Sequence, residues 1–183
     1  NKGVAPKTTY KNIKLIPKQR YHIMANYLWG ILSDVMMRET AGIQIGVDFK
    51  SEEDAMRKFR LANLMMPFST AMFANSRYRG GVDTGYKSFR ALAWLNTDNE
   101  RCGFALDFNK NSCFKDYISQ VLDTPMIFIN RGGKCLSVNG RLTFRQYMEN
   151  GFEGFYPILE DWKLHSNLYF PEVRLRNFIE IRN

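Results

Sequence analysis

Short stretches near both ends of the chain alternate between apolar and polar residues. In residues 43–50 the apolar positions are Ile43, Ile45, Val47 and Phe49. Alternation returns in residues 172–176 and 178–182, where Glu180 and Arg182 alternate with Ile179 and Ile181. Period-two patterning predicts half-buried antiparallel strands whose apolar side chains face the core and whose polar side chains form the opposite face.

Spacing and capping signals predict several helices between these strands. Ser51 followed by three acidic residues is typical of a helix start, and Pro67 is expected to stop or kink that helix. The predicted helices cover residues 21–37, 52–66, 68–74, 113–122 and 143–150. Residues 89–95 and 126–129 are predicted strands, residues 75–86 and 96–104 are predicted loops, and the RGGK sequence at 131–134 is a predicted turn.

This arrangement of elements predicts an α+β domain with helices against one face of an antiparallel sheet. The chain of 183 residues suits one domain, and 45% apolar residues are sufficient for a core. Because the strand pattern is still running at the last residue, we expect residues 1–183 to be part of a longer protein.

The net charge of +8 favours anionic partners such as nucleic acid, a lipid surface or nucleotide phosphates. The basic residues are scattered, with no run of five like charges, so we expect no dedicated nucleic-acid site. The longest apolar stretch, residues 61–74, is interrupted and shorter than the roughly 20 residues of a membrane span, so we expect no membrane partner.

The cysteine and histidine content limits the disulfide and metal chemistry that the chain can support. Cys102, Cys113 and Cys135 are odd in number and lack CxxC spacing, which predicts neither a disulfide framework nor a zinc site. Such cysteine usage fits a reducing compartment, and with no visible targeting segment a cytoplasmic location is expected. Since His22 and His165 are the only histidines, a metal site would use oxygen ligands and hold magnesium or manganese.

The polar faces of the terminal strands would form one site if these strands lie in one sheet. The side chains concerned are Gln44, Asp48, Glu172, Arg174, Arg176, Glu180 and Arg182. Oxygen ligands hold magnesium and arginine neutralises phosphate, so the combination favours phosphoryl transfer. A ladder of surface salt bridges would give the same pattern, and the residues alone leave both interpretations open.

Several longer blocks resemble a known enzyme family, the plant and alphaproteobacterial type of glutamate-cysteine ligase. The blocks, in order, are MMRETAGIQIGVDFKSEEDAMRKFRLANLMMPFSTAMFANS, GYKSFRALAWLNTDNERCGF, DTPMIF, LTFRQY and YFPEVRLRNFIEIR. They extend over about residues 17–182. The resemblance implies that ATP phosphorylates the γ-carboxylate of L-glutamate and that the amine of L-cysteine then attacks, giving γ-glutamylcysteine in the first step of glutathione synthesis.

The resemblance also implies a fold, a metal and specific site residues. The fold would be a glutamine-synthetase-like curved antiparallel sheet, present here as the central part of one catalytic domain. Magnesium, or manganese, would bridge ATP and acidic side chains. Glu180 and Gln44 would be metal ligands, with Gln44 also beside the nucleotide. Arg182 would be the catalytic group that neutralises phosphate, and Arg90 would bind a carboxylate of substrate glutamate.

Two departures from the family pattern leave the amine acceptor open. Gly46 stands where relatives usually carry Asn, and Ile127 stands where plant members have an aromatic residue. A related carboxylate-amine ligase with another acceptor is therefore one alternative, and a non-catalytic basic domain that binds a polyanion is another. The segment 137–157 has no cysteine, so the thiol switch of plant members is not expected.

The family's other metal ligands and nucleotide contacts would lie outside these 183 residues. The chain alone is therefore expected to have little or no ligase activity. The sequence does not determine the oligomeric state.

Overall fold

The computed structural model describes residues 2–104 and 111–182, which form an α+β fold. The helices are α1 (Gln19–Tyr27), α2 (Ile31–Glu39), α3 (Glu52–Phe73), α4 (Phe89–Leu95), α5 (Phe114–Asp123), α6 (Phe144–Asn150) and α7 (Leu159–Asn167). The strands are β1 (Gln44–Val47), β2 (Tyr78–Arg79), β3 (Val82–Asp83), β4 (Cys102–Gly103), β5 (Phe128–Arg131), β6 (Lys134–Ser137), β7 (Phe170–Pro171), β8 (Val173–Leu175) and β9 (Ile179–Arg182). Over the ranges described, no helix combines the length and the apolar character that a membrane span requires.

A three-stranded antiparallel sheet joins β1, from the first third of the chain, to the last two strands. Its strand order is β1-β9-β8, so the last strand lies in the centre and β1 lies at an edge. Gln44 pairs with Arg182 and Gly46 pairs with Glu180. The predicted association of the terminal strands in one sheet is therefore confirmed.

The remaining strands of the described residues form three smaller pairs. Strands β2 and β3 form a hairpin, β5 and β6 form a second hairpin, and β4 pairs in parallel with β7. Gly132 and Gly133 form the turn between β5 and β6 with φ values of 57° and 78°, a conformation that favours glycine. This is the turn that the RGGK sequence predicted.

Three apolar clusters form the core, and the largest lies against the apolar face of the sheet. Its buried members are Met56, Phe59, Met66, Tyr117, Val121, Tyr169, Val173 and Ile179. They come from α3, α5, the chain around β7 and the central sheet. Helix α3 therefore packs on one face of the sheet and leaves the polar side chains on the other, as the alternating pattern predicts.

The predicted helix caps agree with the structure. Ser51 precedes α3, and its Oγ accepts a hydrogen bond of 3.2 Å from the backbone N–H of Asp54. Thr143 precedes α6, and its Oγ1 accepts one of 3.2 Å from the N–H of Gln146. Gly151 ends α6 with φ at 69°. These local signals succeed because they satisfy backbone groups that a helix end leaves unpaired.

Several predicted elements are wrong, among them the loops at residues 75–86 and 96–104, which contain β2, β3 and β4. The helix over residues 21–37 is divided into α1 and α2, and Gly30 between them has φ at 121°. Helix α3 continues through Pro67 to Phe73, since the exposed Pro67 removes only one hydrogen bond while Phe59 and Met66 stay packed in the core. Residues 89–95 form helix α4 and not a strand.

Helix α4 begins where a side-chain cap is available, because Ser88 Oγ accepts a 3.3 Å hydrogen bond from the N–H of Ala91. The short apolar run FRALAWL does not distinguish a helix from a strand by its period alone. Helix α7 was not predicted. Its start carries Glu160 and Asp161, which suit a helix N-terminus.

The apolar face of β1 is less buried than its pattern predicts. Ile43 and Ile45 are 56% and 55% exposed. Val47 and Phe49 pack against the largest core cluster, so only this end of the strand is covered. The reason is that β1 is an edge strand, and burial of an edge depends on neighbours that the strand's own sequence does not reveal.

A buried arginine connects elements that are distant in the sequence. Arg101 is 1% exposed, and its Nε donates a 2.5 Å hydrogen bond to Asp98. Its other nitrogens donate to the carbonyls of Leu168 and Pro125 and to the hydroxyl of Tyr27. Because a buried charge is stable only when it is paired and hydrogen-bonded, Arg101 fixes the positions of α1, α7 and the start of β5.

Acidification is expected to destabilise the protein through His165. This residue is 2% exposed, and its Nε2 donates a 2.8 Å hydrogen bond to the carbonyl of Val121. Burial lowers the pKa of His165 from 6.5 to about 4, although the hydrogen bond opposes the shift. The unfolded chain therefore binds a proton between pH 6.5 and pH 4 while the folded chain does not. Full stability is present above pH 6.5 and about 3 kcal/mol is lost by pH 4.

The matched variant is His165→Gln, which retains a donor for the Val121 carbonyl but does not titrate. Urea unfolding at a series of pH values measures the free energy of unfolding of both proteins. The variant should lose about 3 kcal/mol less than the wild type between pH 7 and pH 4. Parallel pH profiles for the two proteins would contradict a buried neutral His165.

Candidate functional site

The face of the central sheet opposite α3 carries the candidate site. The register of β1, β9 and β8 produces two rows of side chains across this face, and we call these six residues the polar face. One row consists of Gln44, Arg182 and Glu172, and the adjacent row consists of Gly46, Glu180 and Arg174. Side chains of one parity share a face of a sheet, so strand pairing alone assembles this set.

Glu180 is the most strongly held member of the polar face. The residue is 6% exposed, and its carboxylate accepts a 2.6 Å hydrogen bond from Arg174 Nε and a 3.4 Å hydrogen bond from Arg182 Nη1. Arg174 also donates from Nη1 to the backbone carbonyls of Asn167 and Tyr169, at 3.1 Å each. The backbone thus fixes Arg174, and Arg174 orients Glu180.

These contacts keep Glu180 ionised. Burial by itself raises the pKa of Glu180, but the hydrogen bond from Arg174 and the charges of Arg174 and Arg182 outweigh it, so the net pKa lies below the ordinary value. The polar face therefore carries a fixed carboxylate at neutral pH.

A tryptophan separates two partly buried arginines at the end of the sheet. The guanidinium carbons of Arg90 and Arg182 lie 5.9 Å and 5.7 Å from the ring centroid of Trp94, distances at which a cation is attracted to an aromatic face. Burial lowers the pKa of both arginines, and the positive charge of Arg174 lowers that of Arg182 further. Within the described chain, Arg90 Nε and Trp94 Nε1 are buried without a hydrogen-bond partner.

Glu172 supplies the second negative charge near these arginines. Burial raises the pKa of Glu172, while the charges of Arg90 and Arg182 oppose that shift. Three guanidinium groups thus face two carboxylates, counting Arg90, Arg174 and Arg182 against Glu172 and Glu180. One positive charge of the site is therefore uncompensated. Arginine donors also fit the oxygens of an anion, so the site is suited to an anionic ligand such as a phosphate or a carboxylate.

The same residues provide only part of a metal site. In the two ranges that the structure describes, no three His, Cys, Asp or Glu side chains come together in a way that could hold a metal ion. Glu180 and Gln44 offer a carboxylate and an amide oxygen on adjacent strands. Magnesium is commonly bound by one or two carboxylates together with phosphate oxygens and water, so this donor set fits magnesium only jointly with a phosphate ligand.

The structure brings together the site residues that the sequence predicted. Gln44 and Glu180 lie on the same face as Arg182. Arg90 on α4 lies against the ring of Trp94, and Arg182 lies against the same ring. Trp94 itself was missed, because residues 89–95 were interpreted as a strand. The cap at Ser88 and the four-residue spacing from Arg90 to Trp94 were the available signals, since residues so spaced are neighbours on a helix.

Two residues of the predicted set lie outside the polar face. Asp48 follows the end of β1, and its backbone carbonyl accepts a 2.8 Å hydrogen bond from Lys58 Nζ. Arg176 follows the end of β8 and is exposed. The alternating pattern overestimated the strands by one residue or more at these ends, where strand boundaries are hard to predict.

Gly46 and Ile127, the two residues that depart from the family pattern, lie in different environments in the structure. A Cβ at Gly46 would lie 3.3 Å from the ring of Phe178, so this glycine leaves room for an aromatic ring on the polar face. Ile127 is completely buried in a core cluster with Met24 and Leu28. Ile127 is therefore a core residue, and its identity gives no argument for a different amine acceptor.

The chain is similar to glutamate-cysteine ligases of flowering plants. It is 40% identical to the chloroplastic glutamate-cysteine ligase of Nicotiana tabacum, 41% identical to that of Solanum lycopersicum and 39% identical to glutamate-cysteine ligase B of Oryza sativa subsp. japonica. Each match includes 98% of this chain but only 35%, 35% and 37% of the relative. The chain thus spans about a third of the length of these relatives.

The expected cytoplasmic location is wrong by this comparison. The relatives from tobacco, tomato, rice and Arabidopsis thaliana are all named as chloroplastic proteins. The expectation depended on the three cysteines. Their number and spacing indicate that disulfides and a zinc site are not expected, but they do not distinguish one reducing compartment from another.

The family assignment rests on nearly the whole chain. A family model described as glutamate-cysteine ligase family 2 matches residues 2–183. This range contains the polar face, helix α4 and all three core clusters. The chain therefore belongs to glutamate-cysteine ligase family 2.

Proposed function

We propose that these 183 residues are the central part of the catalytic domain of an ATP-dependent ligase. The ligase joins the γ-carboxylate of L-glutamate to the amine of L-cysteine and gives γ-glutamylcysteine, the first step of glutathione synthesis. The observation that carries the proposal is the polar face, where a fixed carboxylate and partly neutralised arginines occupy adjacent strands of a chain that belongs to a glutamate-cysteine ligase family. The names of the most similar relatives support the same reaction.

The fold proposed for the complete domain is a glutamine-synthetase-like curved antiparallel sheet. Strand β1 is an edge strand, and Ile45 on its apolar face is 55% exposed. An edge with free backbone groups and uncovered apolar side chains is suited to further strand pairing. This supports a larger sheet in which β1, β9 and β8 are neighbouring strands.

Arg182 is proposed to bind the phosphates of ATP. Its guanidinium is held between Glu180 and Trp94, and it has less compensating charge than Arg174, which is bound to Glu180 and two carbonyls. In phosphoryl transfer, catalysis consists mostly of positioning and of neutralising the charge on the migrating group. Arg182 is thus the residue of this chain that would perform catalysis.

Arg90 is proposed to bind a carboxylate of substrate glutamate. Its Nε lacks a hydrogen-bond partner within the described residues, and it lies across Trp94 from Arg182. An arginine can donate two parallel hydrogen bonds to a carboxylate. The two arginines would therefore hold glutamate and the nucleotide phosphates side by side.

Glu180 and Gln44 are proposed as ligands for magnesium, or manganese, that accompanies ATP. The bound ion would supply charge neutralisation for the phosphates. Because Glu180 already has hydrogen bonds from Arg174 and Arg182, its orientation is set before any ligand arrives. Gln44 lies beside Arg182 on the exposed edge strand and can reach the same ligand.

The reaction proceeds in two balanced steps. The γ-phosphoryl group of ATP moves to the γ-carboxylate of glutamate, which gives ADP and an acyl phosphate. The neutral amine of cysteine then attacks the acyl carbon. The amide bond forms as the bond from that carbon to the phosphate oxygen breaks, and the proton lost by the amine goes to the departing phosphate or to water. Arg182 neutralises the phosphoryl oxygens in the first step and the departing phosphate in the second.

Two alternatives are separated from this proposal by specific observations. A ligase with another amine acceptor is now motivated by Gly46 alone, since Ile127 is buried in the core. A non-catalytic domain that binds a polyanion would explain the net charge of +8, but family membership favours the ligase.

The proposed reaction predicts turnover by the complete protein and not by the 183-residue chain. The complete protein that contains this chain should release ADP when it receives ATP, magnesium, glutamate and cysteine, as measured by a coupled assay. The 183-residue chain alone should show little or no release, because the described residues provide only part of a metal site. A panel of other amines identifies the acceptor. Full turnover by the 183-residue chain, or no ADP release by the complete protein with any amine, would refute the proposal.

The proposed role of Glu180 predicts that its charge is needed for nucleotide binding. In the complete protein, Glu180→Gln should abolish magnesium-dependent nucleotide binding and lower turnover by at least about 100-fold, since a preorganised charge is lost from the site. Titration calorimetry with a non-hydrolysable ATP analogue, with and without magnesium, measures the binding. The control is Glu149→Gln, which alters an exposed carboxylate on α6. Equal nucleotide binding by both variants would exclude Glu180 from the site.

A further inference from the structure

A cavity of about 460 Å³ lies on the opposite side of β1 from the polar face. Its walls are formed by β1 and the preceding residues, by the C-terminal half of α3, and by the start of α4. The main apolar lining residues are Ile43, Ile45, Met65, Met66, Phe73 and Ile181. A concave, largely apolar cavity of this volume is of the size that small-molecule ligands occupy.

One end of the cavity is polar and positively charged. Arg90, Ser76 and Ser88 line it there. Ser76 Oγ accepts a 3.1 Å hydrogen bond from the N–H of Arg90, and Ser88 Oγ accepts one of 3.3 Å from the N–H of Ala91. A hydroxyl group that accepts one hydrogen bond can still donate another, so both serines can donate to a ligand beside Arg90.

The guanidinium at this end is incompletely satisfied. Arg90 Nε is buried and has no hydrogen-bond partner among the described residues. A buried donor without a partner is costly, and a ligand that supplies an acceptor gains that energy. Burial also lowers the pKa of Arg90, and Glu172 is the negative charge that opposes the shift. The cavity therefore offers apolar walls and one cationic donor group.

We infer that this cavity binds an amphiphilic carboxylate: a molecule with an unbranched apolar chain of about eight carbons and one carboxylate group. The carboxylate accepts hydrogen bonds from Arg90 and from the hydroxyls of Ser76 and Ser88. The chain lies between β1 and α3 against Ile45 and Met65. Arginine–carboxylate pairing fixes the orientation, and burial of the chain supplies most of the affinity.

This inference concerns a different ligand from the substrates proposed above, and direct binding to the cavity does not depend on ligase activity. One consequence does depend on it. If Arg90 binds substrate glutamate, the amphiphile and glutamate compete for the same guanidinium, and the amphiphile raises the KM for glutamate in the complete protein. A failure of this competition alone would count against the role of Arg90 in the ligase reaction and not against the cavity ligand.

The test uses titration calorimetry of the complete protein that contains this chain, without ATP or glutamate, and with octanoate as the ligand. Octanamide, which has the same length without the charge, and acetate, which has the charge without the chain, are the comparison ligands. Three variants are needed. Arg90→Met removes the cation, Ser69→Phe fills the cavity from α3, and Arg57→Met removes an exposed arginine of α3 outside the cavity. Thermal unfolding followed by circular dichroism verifies that each variant is folded.

Octanoate should bind the wild type and Arg57→Met equally, and it should bind Arg90→Met about tenfold or more weakly. Octanamide should bind the wild type more weakly than octanoate and should be insensitive to Arg90→Met. Ser69→Phe should weaken both ligands, and acetate should not bind. Equal affinity of octanoate and octanamide for the wild type would overturn the inference, and so would unchanged octanoate binding by Ser69→Phe.

Discussion

The antiparallel pairing of β1 with β9 is the constraint on which the rest of the structure depends. It connects the first third of the described chain with its last strand, and it places Gln44 opposite Arg182 and Gly46 opposite Glu180. A shift of this register by one residue would move every side chain of β1 to the other face of the sheet. Ile45 would then lie beside Arg182, and Gln44 would face α3. The apolar contacts of Val47 and Ile179 with α3 oppose such a shift, because they place the apolar side of both strands against the core.

Within that register, the ion pair of Arg174 with Glu180 determines the electrostatic character of the polar face. Removing two charges from water is costly, and a buried pair compensates for this only with good geometry and additional hydrogen bonds. Arg174 meets this condition through its contacts with Glu180 and with the carbonyls of Asn167 and Tyr169. Arg182 has a longer hydrogen bond to Glu180 and an aromatic neighbour in Trp94. The sheet thus contains one arginine that is fully engaged and one that remains able to bind an anion.

The sequence predicted the parts of this site that follow from local rules. Alternation identified both terminal strands and their polar sides, and capping residues identified the starts of α3 and α6. Prediction failed where neighbours in space decide the outcome. The exposure of Ile45 depends on its position at a sheet edge, and the burial of Ile127 depends on helices distant in the sequence. Trp94 was missed because seven residues are too few to separate a helical period from a strand period.

The central claim is the strand register, and nuclear Overhauser effects between backbone protons test it most directly. In the 183-residue chain labelled with ¹⁵N and ¹³C, the account predicts cross-strand contacts between Gln44 and Arg182 and between Gly46 and Glu180, in the pattern of an antiparallel pair. Contacts that instead pair Ile45 with Arg182 or with Glu180 would show a register shifted by one residue. That result would separate Gln44 from the two charged residues and would contradict the polar face as described.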